Sequence, residues 1–272
     1  MKIFCILGDE RSFRSKAPLM FSTVMKRVGI KGVYVPFKVG TGQIGPAMQS
    51  LRVLNIDGAN VAVPYKETVI PHLNILSEGA NIIGAVNTVV RNGETLKGYN
   101  TNAIGFMDTL EEIGFDVADK TAVVFGTGGM AKAVVFILNW LRAKSILVAG
   151  RDENSIAGIV QKIGGISKPF QTFNDEPVSA NIVVNTTSVS SPDESPELAA
   201  LVDRLDIRDC EILMDVNYGL EVNFWESKAR EKGIKFLDGL PVLAHQAKRS
   251  FSLWTRIDVE AGEFRKALEK EL

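Results

Sequence analysis

Thr121-Ala-Val-Val-Phe125-Gly126-Thr127-Gly128-Gly129-Met130-Ala131 is an apolar, β-branched run that meets a glycine-rich turn and passes at once into an apolar helical pattern ending near Leu141. A glycine at 126 permits a tight turn, and one at 128 lets the backbone approach a phosphate closely. The small residues at 129 and 131 allow the helix to pack near its strand. The first turn of that helix then offers free N–H groups and a partial positive charge to a pyrophosphate. The spacing is a variant of GxGxxG, with Thr127 and Met130 inside the loop and Ala131 in the last position. The competing reading is an ordinary glycine turn. A strand before, a helix after and a further β-rich run downstream, Ser145–Ala149, favour the dinucleotide. That second run ends in Gly150-Arg151-Asp152, where such folds read the adenosine ribose. Arg151 can hold a 2′-phosphate and points to NADP. Asp152 can accept from a free 2′-hydroxyl and points to NAD, or it simply caps the helix that starts near Ser155. The balance leans to NADP, with NAD second.

The same strand–helix alternation extends outward to both ends. Apolar runs recur at Ile3–Leu7, Gly32–Phe37, Ala59–Val63, Asn181–Thr186, Glu211–Val216 and Ile234–Leu237, with helical spacing between them at Leu19–Val28, Ile44–Leu54 and Met130–Leu141. This predicts an α/β protein with largely parallel sheets. One segment breaks the rhythm: Asn87–Arg91, Asn92-Gly93 and Glu94–Tyr99 read as a hairpin, because Asn-Gly adopts the positive φ angles of a tight turn. A helix pattern from Ala103 to Ile113 and a new strand at Thr121 put a domain boundary near 102–118. Two domains are expected. One comprises residues 1–104 and 239–272, with a mostly parallel sheet; the other is a Rossmann-like dinucleotide domain over 105–238.

The bulk properties fit a soluble protein with an ample buried core. The chain has 272 residues, 46% hydrophobic, with a net charge of −1. Nothing in that charge attracts nucleic acid or an anionic membrane, and no apolar run is long enough to span a bilayer. The start, Met1 to Gly8, reads as a first strand rather than a signal segment. The two cysteines, Cys5 and Cys210, lie in or beside apolar runs and read as buried thiols; a reducing cytoplasm suits them, and no metal site is expected.

Three further segments carry more specific information: Asn60-Val-Ala62-Val-Pro64-Tyr-Lys66, Gly84-Ala-Val-Asn87-Thr88, and Gly98-Tyr-Asn100-Thr101-Asn102-Ala-Ile-Gly105-Phe106. With the glycine loop they resemble, in order and spacing, the NVTxPxK, GAVNT, GxNTDxxGF and GxGGxxxA motifs of the shikimate dehydrogenase family. Arg14-Ser15-Lys-Ala17-Pro18 stands at the family's HSxSP motif, Asn185-Thr-Thr187-Ser188 at NxTS, Asp215–Tyr218 at DxxY, and Gly239 through Gln246 to Trp254 at the final helix. The resemblance covers nearly the whole chain. It implies reversible oxidation of a ring hydroxyl of shikimate, or of quinate in some branches, with hydride passing to the nicotinamide, as in aromatic amino acid biosynthesis. It also implies an active site in a cleft between the domains and a monomer or homodimer. Carried over residue by residue, Lys66 is the catalytic lysine. Ser15, Asn87 and Gln246 contact substrate, as do the positions of Ala17 and Ala62, and Tyr218 lies near the carboxylate and nicotinamide. Thr187, Ser188 and Gly239 join residues 126–131 at the cofactor.

The chemistry is coherent without the family. Loss of hydride from an alcohol requires its proton to leave, and a lysine desolvated at a strand end can accept it. Asn87 and Gln246 offer donors and acceptors to a polyol. His72 and His245 match no family position and read as structural. The departures from the family pattern fall on the pocket: Asn102 replaces its catalytic aspartate, Ala17 its second motif serine, Ala62 its threonine, and Ser190 and Ser191 a glycine and a methionine. An amide at 102 still hydrogen-bonds but accepts no proton. The expectation is therefore a diverged enzyme for a cyclic hydroxy acid, weak on shikimate itself. Two other readings compete: a non-catalytic dinucleotide-binding sensor, and another lysine-dependent enzyme of related architecture, such as a methylene-tetrahydrofolate dehydrogenase. Retention of Lys66 and Asn87 opposes the first, and the GAVNT and NTN segments oppose the second.

Overall fold

In the computed structural model, which describes residues 1–173 and 177–269, the first apolar run becomes an interior strand. β1 (Lys2–Gly8), β2 (Gly32–Lys38), β3 (Gly58–Val61), β4 (Ile75–Leu76), β5 (Thr88–Asn92) and β6 (Thr95–Tyr99) form a sheet in the order β2-β1-β3-β5-β6-β4. β1 pairs parallel with β2 and β3, and β4 pairs parallel with β6; the hairpin strands β5 and β6 make the two antiparallel pairings. The hairpin closes at Asn92↔Thr95 with Gly93 at φ 59°, as the Asn-Gly pair predicts. α1 (Ala17–Arg27), α2 (Ile44–Val53) and α3 (Glu78–Ile83) lie between these strands in the chain, and α4 (Thr101–Glu112) follows β6. The short α3 has no counterpart in the sequence reading. Ser77 starts it by accepting from the Ala80 N–H at 3.3 Å, and it hands the chain to Ala85-Val86-Asn87. β3 ends at Val61, two residues short of the expected Val63. Ala62 N–H still bonds Leu7 C=O at 2.8 Å, but Tyr65 N–H then folds back onto Ala62 C=O at 3.0 Å. That turn delivers Lys66.

The second unit is built on the stretch from which the reading began. β7 (Thr121–Phe125), β8 (Ser145–Gly150), β9 (Ile166–Pro169), β11 (Ile182–Asn185), β13 (Ile212–Asp215) and β14 (Lys235–Leu237) lie in the order β14-β13-β11-β7-β8-β9, every neighbouring pair parallel; β10 (Val178–Ser179) and β12 (Ile207–Arg208) form a separate short parallel pair. β11 and β13 are buried along their whole length, which is why they read as continuous apolar runs rather than alternating ones. α5 (Gly129–Trp140), α6 (Glu153–Ile163), α7 (Pro196–Arg204) and α8 (Phe224–Lys232) connect them. Phe125 lies 4.8 Å from the Trp225 ring and 5.4 Å from Phe173, in a core shared with Leu198 and Val202.

α9 (Leu240–Thr255) and α10 (Ala261–Glu269) follow. Sequence periodicity leaves their packing open, and the aromatic side chains settle it. Trp254 stacks on Phe4 at 4.9 Å and donates its indole N–H to Val89 C=O at 2.9 Å, while Phe251 and Phe264 surround Phe21. The chain accordingly divides into one unit of Met1–Gly105 with Leu243–Leu272 and another of Phe106–Val242. The last residues of the expected terminal helix, 270–272, lie outside the described residues. Among the described residues no helix is long and apolar enough to cross a membrane. Cys5 and Cys210 are both free thiols, and burial raises them to about 12 and about 11.

Candidate active site

Within the first unit, the segment that leads into β5 and the start of α4 at Thr101 meet in a buried polar cluster. Asn87 is its centre. Its Oδ1 accepts from the Thr101 backbone N–H at 2.6 Å. Its Nδ2 faces Asn102 Oδ1 at 2.9 Å and Gln246 Oε1 at 3.1 Å. Three segments far apart in sequence are thereby joined: the entry to β5, the first turn of α4 and the middle of α9. α4 itself is started by Asn100, whose Oδ1 accepts from Ala103 N–H at 3.1 Å while its Nδ2 donates to Ala85 C=O at 3.0 Å. A second layer supports the first. Thr88, Thr101 and Ser250 exchange hydroxyl hydrogen bonds of 2.8–3.1 Å, and Ser250 Oγ donates to Gln246 C=O at 3.0 Å. Tyr34 O–H donates to Asn60 Oδ1 at 2.7 Å, and Asn60 Nδ2 donates to Asn87 C=O at 3.2 Å.

Buried polar groups are tolerated only when partnered, each orphan costing about 1–3 kcal/mol. Asn60, Asn87, Thr88, Thr101 and Ser250 all meet that condition. Asn102 does not meet it fully: it is 4% exposed, and its Nδ2 is buried without a hydrogen-bond partner.

Lys66 sits one residue past the turn after β3. Its carbonyl accepts from Val86 N–H at 2.7 Å, which fixes it beside the strand entry that carries Asn87. No hydrogen bond or ion pair to its ammonium is made among the described residues, and burial lowers its pKa from 10.5 to about 8. With an amide rather than a carboxylate at 102, no anion there opposes that shift. The ammonium therefore gives up its proton more readily than an exposed lysine does, and the neutral amine is available to accept one.

The other substrate-side expectations stand outside this network. Ser15 Oγ accepts from Ala17 N–H at 3.2 Å at the start of α1, Ala17 is buried, and Ala62 lies in the turn after β3. Neither alanine supplies a polar group beyond its backbone.

The second unit holds the expected cofactor residues. Gly126 follows β7 at φ 117°, and a side chain there would run into Thr186 Oγ1 at 2.5 Å and the Thr187 nitrogen at 3.1 Å. Gly128 starts α5 and faces open space, with no atom within 4 Å of where a Cβ would stand. No side chain caps α5, whereas α6, α7 and α8 are capped by Asp152, Ser195 and Asn223. The N–H groups at Gly129, Met130 and Ala131 therefore remain available to an anion. This is the arrangement that a pyrophosphate fits. Thr127 is half-buried in the same loop, its methyl close to Gly150.

At the end of β8, Arg151 is exposed. Asp152 takes the second of its two sequence readings: its carboxylate accepts from Ser155 N–H at 3.0 Å and from the Ser155 hydroxyl, which holds its pKa below the usual range. Thr187 Oγ1 bonds Asn185 Oδ1 at 2.8 Å, and Ser188 is exposed beside it. Tyr218 is half-buried, and burial raises its phenol; Gly239 N–H donates to Asn217 C=O at 2.9 Å.

The sequence reading gave no role to two sets of residues. Thr101, Thr88, Asn60 and Ser250 hold the first cluster; the first three stood inside the quoted motifs, and Ser250 stands one helical turn after Gln246. In the second unit Asp215 is fully buried. It is satisfied by Asn185 Nδ2 at 2.8 Å, Asn217 N–H at 3.0 Å and Asn223 Nδ2 at 2.7 Å, and burial raises its pKa. This cluster joins the ends of β11 and β13 and so fixes the loop of Thr187 and Ser188.

Comparison with known proteins adds to the geometry. The family model described as the shikimate dehydrogenase substrate binding domain matches residues 7–89. The curated shikimate dehydrogenase (NADP(+)) of Caldanaerobacter subterraneus subsp. tengcongensis is 34% identical over 264 residues, spanning 93% of this chain and 91% of its own length. The one from Moorella thermoacetica is 36% identical over 250 residues, spanning 89% and 84%. The crystal structure of shikimate 5-dehydrogenase from Thermus thermophilus in complex with NADP(H) and shikimate matches with a TM-score of 0.86 at 29% identity, covering 100% of both chains.

Proposed function

This chain belongs to the shikimate dehydrogenase family, and from that premise we propose that it is an NADP-dependent oxidoreductase acting on a ring hydroxyl of shikimate or a related cyclic hydroxy acid. The single observation that carries the chemistry is Lys66: a lysine with a pKa of about 8 and no counter-ion among the described residues, anchored through its carbonyl beside Asn87. A sensor that only binds a dinucleotide has no use for a costly desolvated lysine, and relatives that are dehydrogenases over most of their length favour the enzyme.

The roles follow from what each side chain offers. The neutral Lys66 amine takes the proton from the substrate hydroxyl as the C–H bond breaks. Asn87 orients the amides of Asn102 and Gln246, which hold the ring substituents. In the second unit, the uncapped start of α5 binds pyrophosphate through backbone N–H groups, and Arg151 meets the 2′-phosphate. Bound NADP supplies the acceptor for the departing hydride. A small cyclic acid is the partner, and a reducing cytoplasm suits the two free thiols. The test is a screen of shikimate, quinate and other cyclic hydroxy acids with NADP and NAD, followed at the nicotinamide absorbance. Turnover of at least one acid, faster with NADP, is the expected result. No turnover of any cyclic hydroxy acid with either cofactor overturns the reading.

A further inference from the structure

The orientation of the amides around Asn87 follows from one group whose polarity is beyond dispute. A backbone N–H can only donate, so the Thr101 N–H at 2.6 Å fixes the oxygen of Asn87 on its own side. Asn87 must then turn its NH2 toward Asn102 and Gln246. That NH2 carries two hydrogens and has three oxygens within reach: Asn102 Oδ1 and Thr101 Oγ1 at 2.9 Å and Gln246 Oε1 at 3.1 Å. Either amide turned the other way would set NH2 against NH2 at hydrogen-bond distance. Asn102 and Gln246 are therefore both locked with their oxygens inward, and both amino groups face away from Asn87. The buried, partnerless Nδ2 of Asn102 is the direct trace of that lock.

We propose that Asn102 is a specificity-determining residue that selects substrates presenting an acceptor-only oxygen at this position, a ketone, ether or carboxylate oxygen, over those presenting a hydroxyl that must donate. This rests on the reading of the site as that of a cyclic hydroxy acid oxidoreductase. A carboxylate at 102 would receive the Asn87 hydrogen with one oxygen and offer the other to a substrate O–H. The amide keeps the first interaction and inverts the second, from acceptor to donor. A substrate hydroxyl there can still accept from Nδ2, but its own proton loses the acceptor that a carboxylate would give. A ketone or ether oxygen satisfies Nδ2 and brings no proton to place. Leaving a hydroxyl unmatched in a buried site costs on the order of tenfold or more in affinity.

The experiment is calorimetric titration of the NADP-loaded protein with shikimate and with derivatives in which each ring hydroxyl in turn is replaced by a ketone or a methyl ether, for wild type, Asn102→Asp and Asn102→Ala. Turnover is recorded alongside on those acids that keep an oxidisable hydroxyl. In wild type, at least one keto or methyl ether acid binds about tenfold or more tightly than shikimate. Asn102→Asp reverses that order. Asn102→Ala, which adds no buried charge, flattens it. Shikimate binding tightest in wild type, a ratio unmoved by Asn102→Asp, or binding of none of the acids overturns the proposal. Discrimination as stated with no turnover of any acid sinks the oxidoreductase reading alone; turnover without discrimination sinks only the assignment to Asn102.

Discussion

The cluster around Asn87 and the loop at Gly126–Ala131 solve recognition by different structural means. The loop presents backbone: uncapped N–H groups at the start of α5, with open space at Gly128 where a side chain would stand. Its proposed function depends on what is missing. The cluster presents side chains, held by a second layer of hydroxyls and amides. Such a site can change one group, Asp to Asn at 102 relative to the family pattern, and keep its framework. The glycine loop accordingly keeps the family pattern, while of the departures residues 17, 62 and 102 lie in the first unit and 190 and 191 in the second. A scaffold that fixes orientation through main-chain contacts lets chemistry vary at the side chains it presents.

The sharpest way to break this contrast is at Lys66, the one side chain to which the proton transfer is proposed to fall. Lys66→Met should lower turnover on the true substrate by about 10²–10⁴ with an unchanged circular dichroism spectrum; activity within tenfold of wild type would remove the lysine from the mechanism. Because only the neutral amine accepts a proton, kcat/KM for oxidation should rise with pH and level off above about 8. Asn102→Asp should move that inflection upward, since an anion favours the charged ammonium. The same desolvation makes Lys66 unfavourable for folding. The unfolded chain holds this proton more tightly, so the cost is present in full below about pH 8 and fades as pH rises toward 10.5. Lys66→Met should therefore raise Tm at pH 7 by about 2 °C or more and leave it little changed above pH 10.

The loop makes the opposite prediction, that adding a group destroys function without harming the fold. Gly128→Val places its side chain in open space, so stability should hold while NADPH affinity falls by about a hundredfold, measured by fluorescence titration. Unchanged affinity in the folded variant would move the pyrophosphate elsewhere. For the cluster, wild type should oxidise shikimate at well under the ~10 s⁻¹ common among enzymes. The combined change Ala17→Ser, Ala62→Thr, Asn102→Asp should raise it by about tenfold or more, and by more than Asn102→Asp alone, since residues sharing one ligand need not act additively. Wild-type turnover already at ~10 s⁻¹ would show that the three departures leave shikimate use intact.

The two regions also differed in how far they could be read from the chain. The loop was legible because its signal is local: a buried strand, three glycines and a helix within residues 121–141. The hairpin was legible for the same reason, through Asn92-Gly93. Side-chain polarity in the cluster was not, because the orientation of Asn102 depends on Asn87, fifteen residues away, and on Gln246, whose helix comes much later. No window of sequence contains those partners. The short α3 was missed because six residues are too few to show a helical period. The two readings of Asp152 could be separated only by seeing that Ser155 lies within reach of its carboxylate.

That last distinction sets the smallest effect. If Asp152 is committed to the start of α6, cofactor choice at this position falls to Arg151 alone, an exposed guanidinium at the end of β8. A guanidinium pairs with a phosphate in bidentate fashion, and only NADPH carries one at the 2′ position. Because the side chain is exposed, water and salt screen the pair, so the gain is modest. Arg151→Ala should weaken NADPH by about tenfold, leave NADH within about twofold, and lose most of that difference when wild type is measured at 1 M salt. Asp152→Ala should act on stability rather than on cofactor choice, shifting the thermal midpoint downward through the lost cap while keeping the NADPH-to-NADH ratio. Equal losses for the two cofactors in the arginine variant would place the 2′-phosphate away from β8. A changed cofactor ratio in Asp152→Ala would return the carboxylate to the ribose and make the cap secondary.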